Sequence, residues 1–264
     1  MYDSIVIGLG PASVSCAVYL KRFNKNVLII GQNHSALNQD IYIDNYYGSP
    51  HIKGKDLFNE GLNQLNTFDI EIVSEEVTGI NIVSDGYEVV TPTDSFEAKT
   101  LFLGLGRPHK VKIKGANELI GHGVSVCAIC DGFLYRNKKI ALIGSGSFAE
   151  KEYETLKAFT KDITRYGDSV DEISKVDGKV IIKNQNEESS FDGVFIAIGT
   201  MDTASLSKHL GVIENNGYIE VDENKMTNLE GVFAGGDAIG EPFQVAKAVS
   251  DGMIASLGIF KFLK

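Results

Sequence analysis

With 264 residues, 43% hydrophobic and 23% charged, the chain has the make-up of an ordinary globular protein that can bury one large core or two modest ones. A formal charge of −10 argues against nucleic acid and anionic membrane surfaces as partners, which need a net or local basic face. No apolar run reaches the length of a membrane span, three cysteines do not make a disulfide framework, and the strand-like YDSIVIG after Met1 leaves no room for a signal peptide, so a cytoplasmic location is expected.

The chain opens with SIVIGLGPASVSCAVYLKRF (4–23), a short β-branched run, a glycine-rich turn and a helical pattern with Val14, Val18 and Leu20 on one inward face. Gly8 and Gly10 allow a tight turn and close approach of the backbone to a pyrophosphate. A helix beginning near Pro11 would turn its N-terminal amides towards that anion. Ser13 replaces the usual third glycine, and the same spacing also suits a tight strand–helix turn that binds nothing. Cys16 reads as a small buried residue of the helix. Residues 70–103 alternate apolar and polar positions around turns at Asp85-Gly86 and Thr93-Asp94, the pattern of a β-meander or hairpin series.

SVCAICDGFLYR (125–136) places Cys127 and Cys130 two residues apart and follows them at once with Asp131. A zinc site wants four ligands and only His122 stands nearby, so no metal is expected. The redox reading explains more: a CxxC entering a helix-like turn has a thiolate favoured by the positive helix end, and Asp131 can protonate a departing thiolate. As a plain alternative, Asp131 is a solvated turn acid. KIALIGSGSFAEKEYETLKAF (139–159) then repeats the opening design, with Gly144, Gly146 and Ala149 in a GxGxxA turn, and GKVIIKNQNEESSFDGVFIAIG (178–199) reads as a shorter strand series. Near the end, GVFAGGDAIG (231–240) runs a strand into Gly235, Gly236 and Asp237, an acid placed to cap a ribityl hydroxyl. Together the two chain ends look like one flavin site.

These motifs, in this order, resemble those of the low-molecular-weight thioredoxin reductases. IVIGLGPAS is similar to the family's FAD-binding turn, IDNYYG (43–48) to its IENYPG segment, CAICDG to its active-site CATCDG, and GVFAGGDAIGEPFQVAKAVSDG to its C-terminal flavin segment. The resemblance implies FAD contacts at Gly8, Gly10, Pro11, Ala12, Asn45, Gly236, Asp237, Gln244 and Val245. It implies Cys130 as the flavin-side sulfur and Cys127 as the one that reaches thioredoxin. The implied fold is α/β, with two Rossmann-like domains in a homodimer: a discontinuous FAD domain (1–110 and 229–264) and a second, truncated domain (111–228) that carries the CxxC.

The second glycine turn departs from the family. Where NADPH-dependent members carry HRRxxxR, the chain reads ITRYGDSVDEI (163–173), and its four arginines, Arg22, Arg107, Arg136 and Arg165, form no pair at that strand end. The segment from Asp168 to Asp192 is several dozen residues shorter than its counterpart, as if a helix and a strand were omitted. The branch most similar is the ferredoxin-dependent flavin thioredoxin reductases, which lack the NADPH motifs, and the expected activity is reduction of thioredoxin with electrons from ferredoxin or another protein donor. Two alternatives stay open: an NADH-dependent enzyme in which Asp168 holds the ribose, and a flavoprotein redox sensor without turnover. The basic residues Arg107, Lys110, Lys112 and Lys114, with Arg136, Lys138 and Lys139, suit an acidic protein donor or merely solubilise a linker.

Overall fold

The computed structural model describes residues 1–33, 35–37, 41–106, 112–185, 187–198 and 203–264, less the side chains of Cys130, Ser147 and residues 203–205. The chain divides into two units, Met1–Pro108 with Leu210–Lys264, and His109–His209. Among the described residues no helix is long and apolar enough to cross a membrane.

The first unit starts with β1 (Tyr2–Ile7), α1 (Pro11–Arg22) and β2 (Val27–Ile30). Ser4–Ile7 and all of β2 are buried, as expected of parallel strands covered on both faces. A small hairpin follows, β3 (Tyr42–Ile43) with β4 (Ile52–Lys53), then α2 (Gly54–Thr67). Next come β5 (Glu71–Val73), β6 (Gly79–Val83), β7 (Gly86–Val90) and β8 (Ser95–Leu103). The stretch expected as a meander or hairpin series therefore divides. β6, β7 and β8 pair antiparallel, but β5 runs parallel to β2, because α2 carries the chain back over the sheet in a crossover before β5 begins.

The second unit holds α3 (Ala116–Leu119), β9 (Val124–Ser125), α4 (Ala128–Asp131) and a 3-10 turn at Gly132–Tyr135. β10 (Ile140–Ile143), α5 (Gly146–Leu156) and β11 (Ile163–Tyr166) make its βαβ unit. β12 (Glu172–Val176), β13 (Lys179–Asn184) and β14 (Glu187–Phe191) form an antiparallel sheet, and β15 (Gly193–Ile196) and α6 (Thr203–Leu210) complete the series. The parallel sheet runs β11-β10-β15-β9. Of the strand series expected at 178–199, only β13 and β14 form a hairpin; β15 leaves it to pair with β10. Residues 167–171 join β11 directly to β12 with no helix between, which is where a second crossover would stand.

The chain returns through β16 (Glu214–Asn215), β17 (Tyr218–Ile219), β18 (Val232–Ala234), a 3-10 turn at Gly236–Ile239 and α7 (Val245–Phe262). β8 is long enough to serve several partners: Ser95–Ala98 lie against β7, while Leu101–Leu103 are held between β1 and β18. The return begins earlier than the expected residue 229. Residues 210–228 belong with the first unit because the Asn228 side chain accepts from the Ile213 N–H (2.8 Å) and donates to the Gly211 carbonyl (3.0 Å), and Ala234 N–H donates to the Lys225 carbonyl (2.9 Å).

One buried acid ties these late segments together. Asp251 of α7, 4% exposed, accepts from the Gly236 N–H (3.1 Å) and pairs with Lys225 (2.9 Å) and Lys247 (3.0 Å). Lys247 also donates to the Gly236 and Gly240 carbonyls, at 2.6 and 2.8 Å. Removing the carboxylate leaves two lysines and a backbone donor without that partner in a site only partly open to water. Asp251→Ala should therefore lower the unfolding free energy by about 3 kcal/mol in urea titrations, and a loss below about 1 kcal/mol would show that the lysines reach solvent without cost.

Candidate functional site

In the first unit the residues singled out from both chain ends lie together. Gly8 has φ +102°, and a Cβ there would stand 2.3 Å from the Gly104 carbonyl oxygen, so the turn admits only glycine. Ser13 is accommodated from the other side: its Oγ lies 2.0 Å from where a Cβ on Gly104 would be. Gly10 caps α1 with open space around it, Pro11 is the first helical residue, and the first turn of α1 carries no acid. Gly236, at φ +72°, faces Ala12, where an added Cβ would come within 3.0 Å of the Ala12 Cβ. Asn45 donates to the Gln244 side chain at 2.8 Å, and Val245 opens α7 immediately after it. Asp237 is half-buried in the 3-10 turn that follows Gly236. Open backbone at Gly10, a helix N-terminus free of acids and a second glycine turn beside Ala12 fit the pyrophosphate of a dinucleotide such as FAD.

In the second unit Cys127 is 1% exposed and disulfide-bonded, while Cys16 in the first unit is a free, fully buried thiol. The Cys130 side chain lies outside the described residues; its backbone belongs to α4. The helix end expected to favour a thiolate is a single turn, Ala128–Asp131, which runs straight into a 3-10 turn whose first residue, Gly132, lies close to the Phe159 ring. So short a segment carries little dipole. Three residues that sequence reasoning passed over hold the site instead. Ser125 accepts from the Cys127 N–H at 3.1 Å and donates to Asp131 Oδ2 at 2.7 Å, fixing the acid beside the sulfur pair. Glu152 of α5 accepts from the Ala128 N–H at 2.6 Å. His209 of α6 places Nε2 3.7 Å from Cys127 Sγ and 3.6 Å from Glu152 Oε1. Ile129, Phe133 and Leu134, in the same short turns, are each more than half exposed.

The second glycine turn is intact but engaged internally. Gly144 is pressed so closely against the residue that follows β15 that a Cβ would meet the Ala197 carbonyl oxygen at 1.9 Å. Asp168 accepts from the Ser145 hydroxyl at 2.7 Å, and the Arg165 guanidinium pairs with Glu150. Of the basic cluster, Arg107 and Lys110 fall outside the described residues, Lys112 is exposed, and Lys114 is paired with Glu172 at 3.0 Å. Arg136, Lys138 and Lys139 are exposed, the last two over the Tyr135 and Phe191 rings.

The family model of the pyridine nucleotide-disulphide oxidoreductases matches residues 2–165 and 150–252. The chain belongs to that family. It is a flavin-dependent, thioredoxin reductase-like oxidoreductase with the two-domain architecture of the family, and its cofactor is FAD. It is 29% identical to the thioredoxin reductase of Bacillus subtilis (strain 168) over 304 positions, covering 100% of this chain and 95% of that one. Since this chain has 264 residues, 40 of those positions have no counterpart in it. Among solved structures it is similar to the atypical thioredoxin reductase TRi of Desulfovibrio vulgaris Hildenborough (26% identity, TM-score 0.89, 100% and 98% of the two chains covered). It is also similar to a ferredoxin-flavin thioredoxin reductase of Clostridium acetobutylicum (28% identity, TM-score 0.73, 98% and 97% covered).

Two outcomes follow from the geometry. Ser125→Ala removes the donor that holds Asp131 and the acceptor of the Cys127 N–H, so stability should fall by about 1 to 2 kcal/mol and disulfide reduction should slow while the flavin spectrum is kept. Burial pushes the Cys16 thiol well above the ordinary thiol range. Iodoacetamide mapping of the native, reduced protein should accordingly leave Cys16 unmodified, and its rapid labelling would contradict the packing of α1.

Proposed function

We propose that the chain reduces the disulfide of thioredoxin through Cys127 and Cys130, with FAD held by Gly8, Gly10, Pro11, Ala12, Asn45, Gly236, Asp237, Gln244 and Val245 and refilled by reduced ferredoxin, in a homodimer. Bound FAD would supply the two electrons that open the disulfide. Cys127 then attacks thioredoxin, Cys130 resolves the mixed disulfide, and Asp131, oriented by Ser125, gives a proton to the departing sulfur. Exposed Ile129, Phe133 and Leu134 offer an apolar rim on which a partner protein can seat while the sulfurs exchange.

The observation that carries the choice of donor is the direct passage from β11 to β12 through residues 167–171. A nicotinamide dinucleotide lies across a crevice built by successive βαβ crossovers, and this unit has one. The acid that would hold an NADH ribose is already bonded to Ser145, and the nearby arginine to Glu150. The NADH reading keeps one feature in its favour, the intact turn with open space at Gly146.

The test is the anaerobic absorbance of the flavin on adding NADPH, NADH or reduced ferredoxin. Ferredoxin should bleach the flavin and neither nicotinamide should, and the ferredoxin rate should fall with added salt if basic residues such as Lys112 and Lys138 guide an acidic donor. Fast, saturable bleaching by NADH would promote the nicotinamide reading. A reduced enzyme that passes electrons to no thioredoxin would leave a redox-sensing flavoprotein. Sedimentation of the holoprotein checks the dimer.

A further inference from the structure

We propose that His209 is a further catalytic residue, whose imidazolium holds the Cys127 sulfur as a thiolate, and that Glu152 positions and charges it. The inference rests on the reading of Cys127 as the sulfur that attacks thioredoxin. Three separate elements converge on that sulfur. Cys127 precedes α4, Glu152 comes from α5, and His209 from the last turn of α6. The Glu152 side chain is 3% exposed and that of His209 10%. A carboxylate so deeply buried calls for a cation, and the His209 ring nitrogen lies 3.6 Å from its Oε1. The other carboxylate oxygen is fixed by the Ala128 N–H, so Glu152 is tied to the residue adjacent to Cys127 rather than free to turn away. The negative end of α6 favours positive charge on the same ring. The one-turn α4 supplies little dipole of its own, and the histidine stands where the missing positive charge is needed.

In the forward reaction Cys127 gives its proton to His209 Nε2 and, as the thiolate, attacks one sulfur of the thioredoxin disulfide. That S–S bond breaks, a mixed disulfide forms, and the departing sulfur takes a proton from Asp131. Cys130 then attacks the Cys127 sulfur, passing its own proton to Asp131. The enzyme disulfide re-forms, and the second thioredoxin sulfur leaves with the proton stored on His209. Two electrons and two protons have moved from the enzyme dithiol to thioredoxin.

Among the described side chains, the titratable groups tied to the Cys127 segment by these contacts are Glu152 on α5, Asp131 on α4 and His209 on α6, with Lys208 exposed on the same helix. The sign of each variant follows. Without the histidine, Glu152 becomes an uncompensated buried negative charge beside the thiol and disfavours the thiolate. Without the carboxylate, the imidazole loses the negative charge that stands 3.6 Å from its Nε2. The experiment uses the holoprotein, reduced with excess dithiothreitol and freed of it anaerobically, and follows the ultraviolet absorbance of the thiolate against pH, taken as the difference from Cys127→Ser, because at 1% exposure Cys127 is closed to an alkylating probe. In the wild type the midpoint should lie below the ordinary thiol value of about 8.5. His209→Asn should raise it by about one unit or more, cutting the thiolate fraction at neutral pH about tenfold, and Glu152→Gln should shift it in the same direction by less.

A wild-type midpoint at or above the ordinary value overturns the proposal without any variant, which keeps it open to refutation if a variant fails to fold. A His209→Asn midpoint equal to wild type, in a protein whose disulfide still opens and closes, overturns the histidine's role alone. A wild-type disulfide that dithiothreitol cannot open overturns the reading of Cys127 as a reactive thiol, and this inference with it.

Discussion

Where α7 crosses α1, a Cβ on Gly252 would lie 2.0 Å from the Ala12 carbonyl oxygen and 3.0 Å from the Cys16 nitrogen, so the two helices can meet only because that position has no side chain. The Ser15 hydroxyl closes the same contact by donating to the Val249 carbonyl at 2.8 Å. Much of the first unit follows from this approach. It sets Gly236 against Ala12, brings Gln244 within reach of Asn45, and leaves Asp251 to gather the backbone of the 3-10 turn and two lysines. The flavin elements are far apart in sequence, and a single backbone-to-backbone fit makes them neighbours.

The second unit shows how a nucleotide-binding frame can be shortened without dismantling what it still carries. Gly144 against Ala197 fixes how α5 leaves β10, and α5 is the helix that delivers Glu152 to Ala128. The glycine turn thus has a packing duty that does not depend on any nucleotide. Loss of a crossover between β11 and β12 touches neither this helix nor Ser125, which stands at the end of β9 on the opposite edge of the sheet. The dithiol's supports and the abbreviated edge are separate parts of one small sheet.

What was legible in the sequence was local. Glycine turns, the CxxC with its acid and the β-branched runs each announce themselves within a dozen residues, and the helix from Pro11 and the strands before both turns stand where the patterns put them. Contacts between distant positions left no such trace. His209 meets Cys127 across 82 residues, and its only sequence signal is a histidine in the last turn of an amphipathic helix. Glu152 reads as one more charge on a surface helix until Ala128 is seen to claim it. Residues 210–228 have little hydrophobic period, being held by side-chain bonds to backbone such as those of Asn228 and Asp222, so their membership in the first unit could not be read from pattern. The helix-like turn expected at the CxxC is there, but as a single turn from Ala128 that passes into a 3-10 turn at Gly132, a length that the sequence did not show.

The discontinuity of the first unit also has a consequence in time. Domains emerge from the ribosome in sequence order, at about 5 to 20 residues per second, and fold as units. The strand that completes β8 on one side and the helix that locks α1 both lie beyond residue 231. A nascent chain therefore exposes the whole second unit, free to collapse around its own sheet, while β1, β8 and α1 still wait with their apolar faces uncovered. During that interval of about several seconds the flavin pocket is only half written, because its last strand and helix have yet to be made.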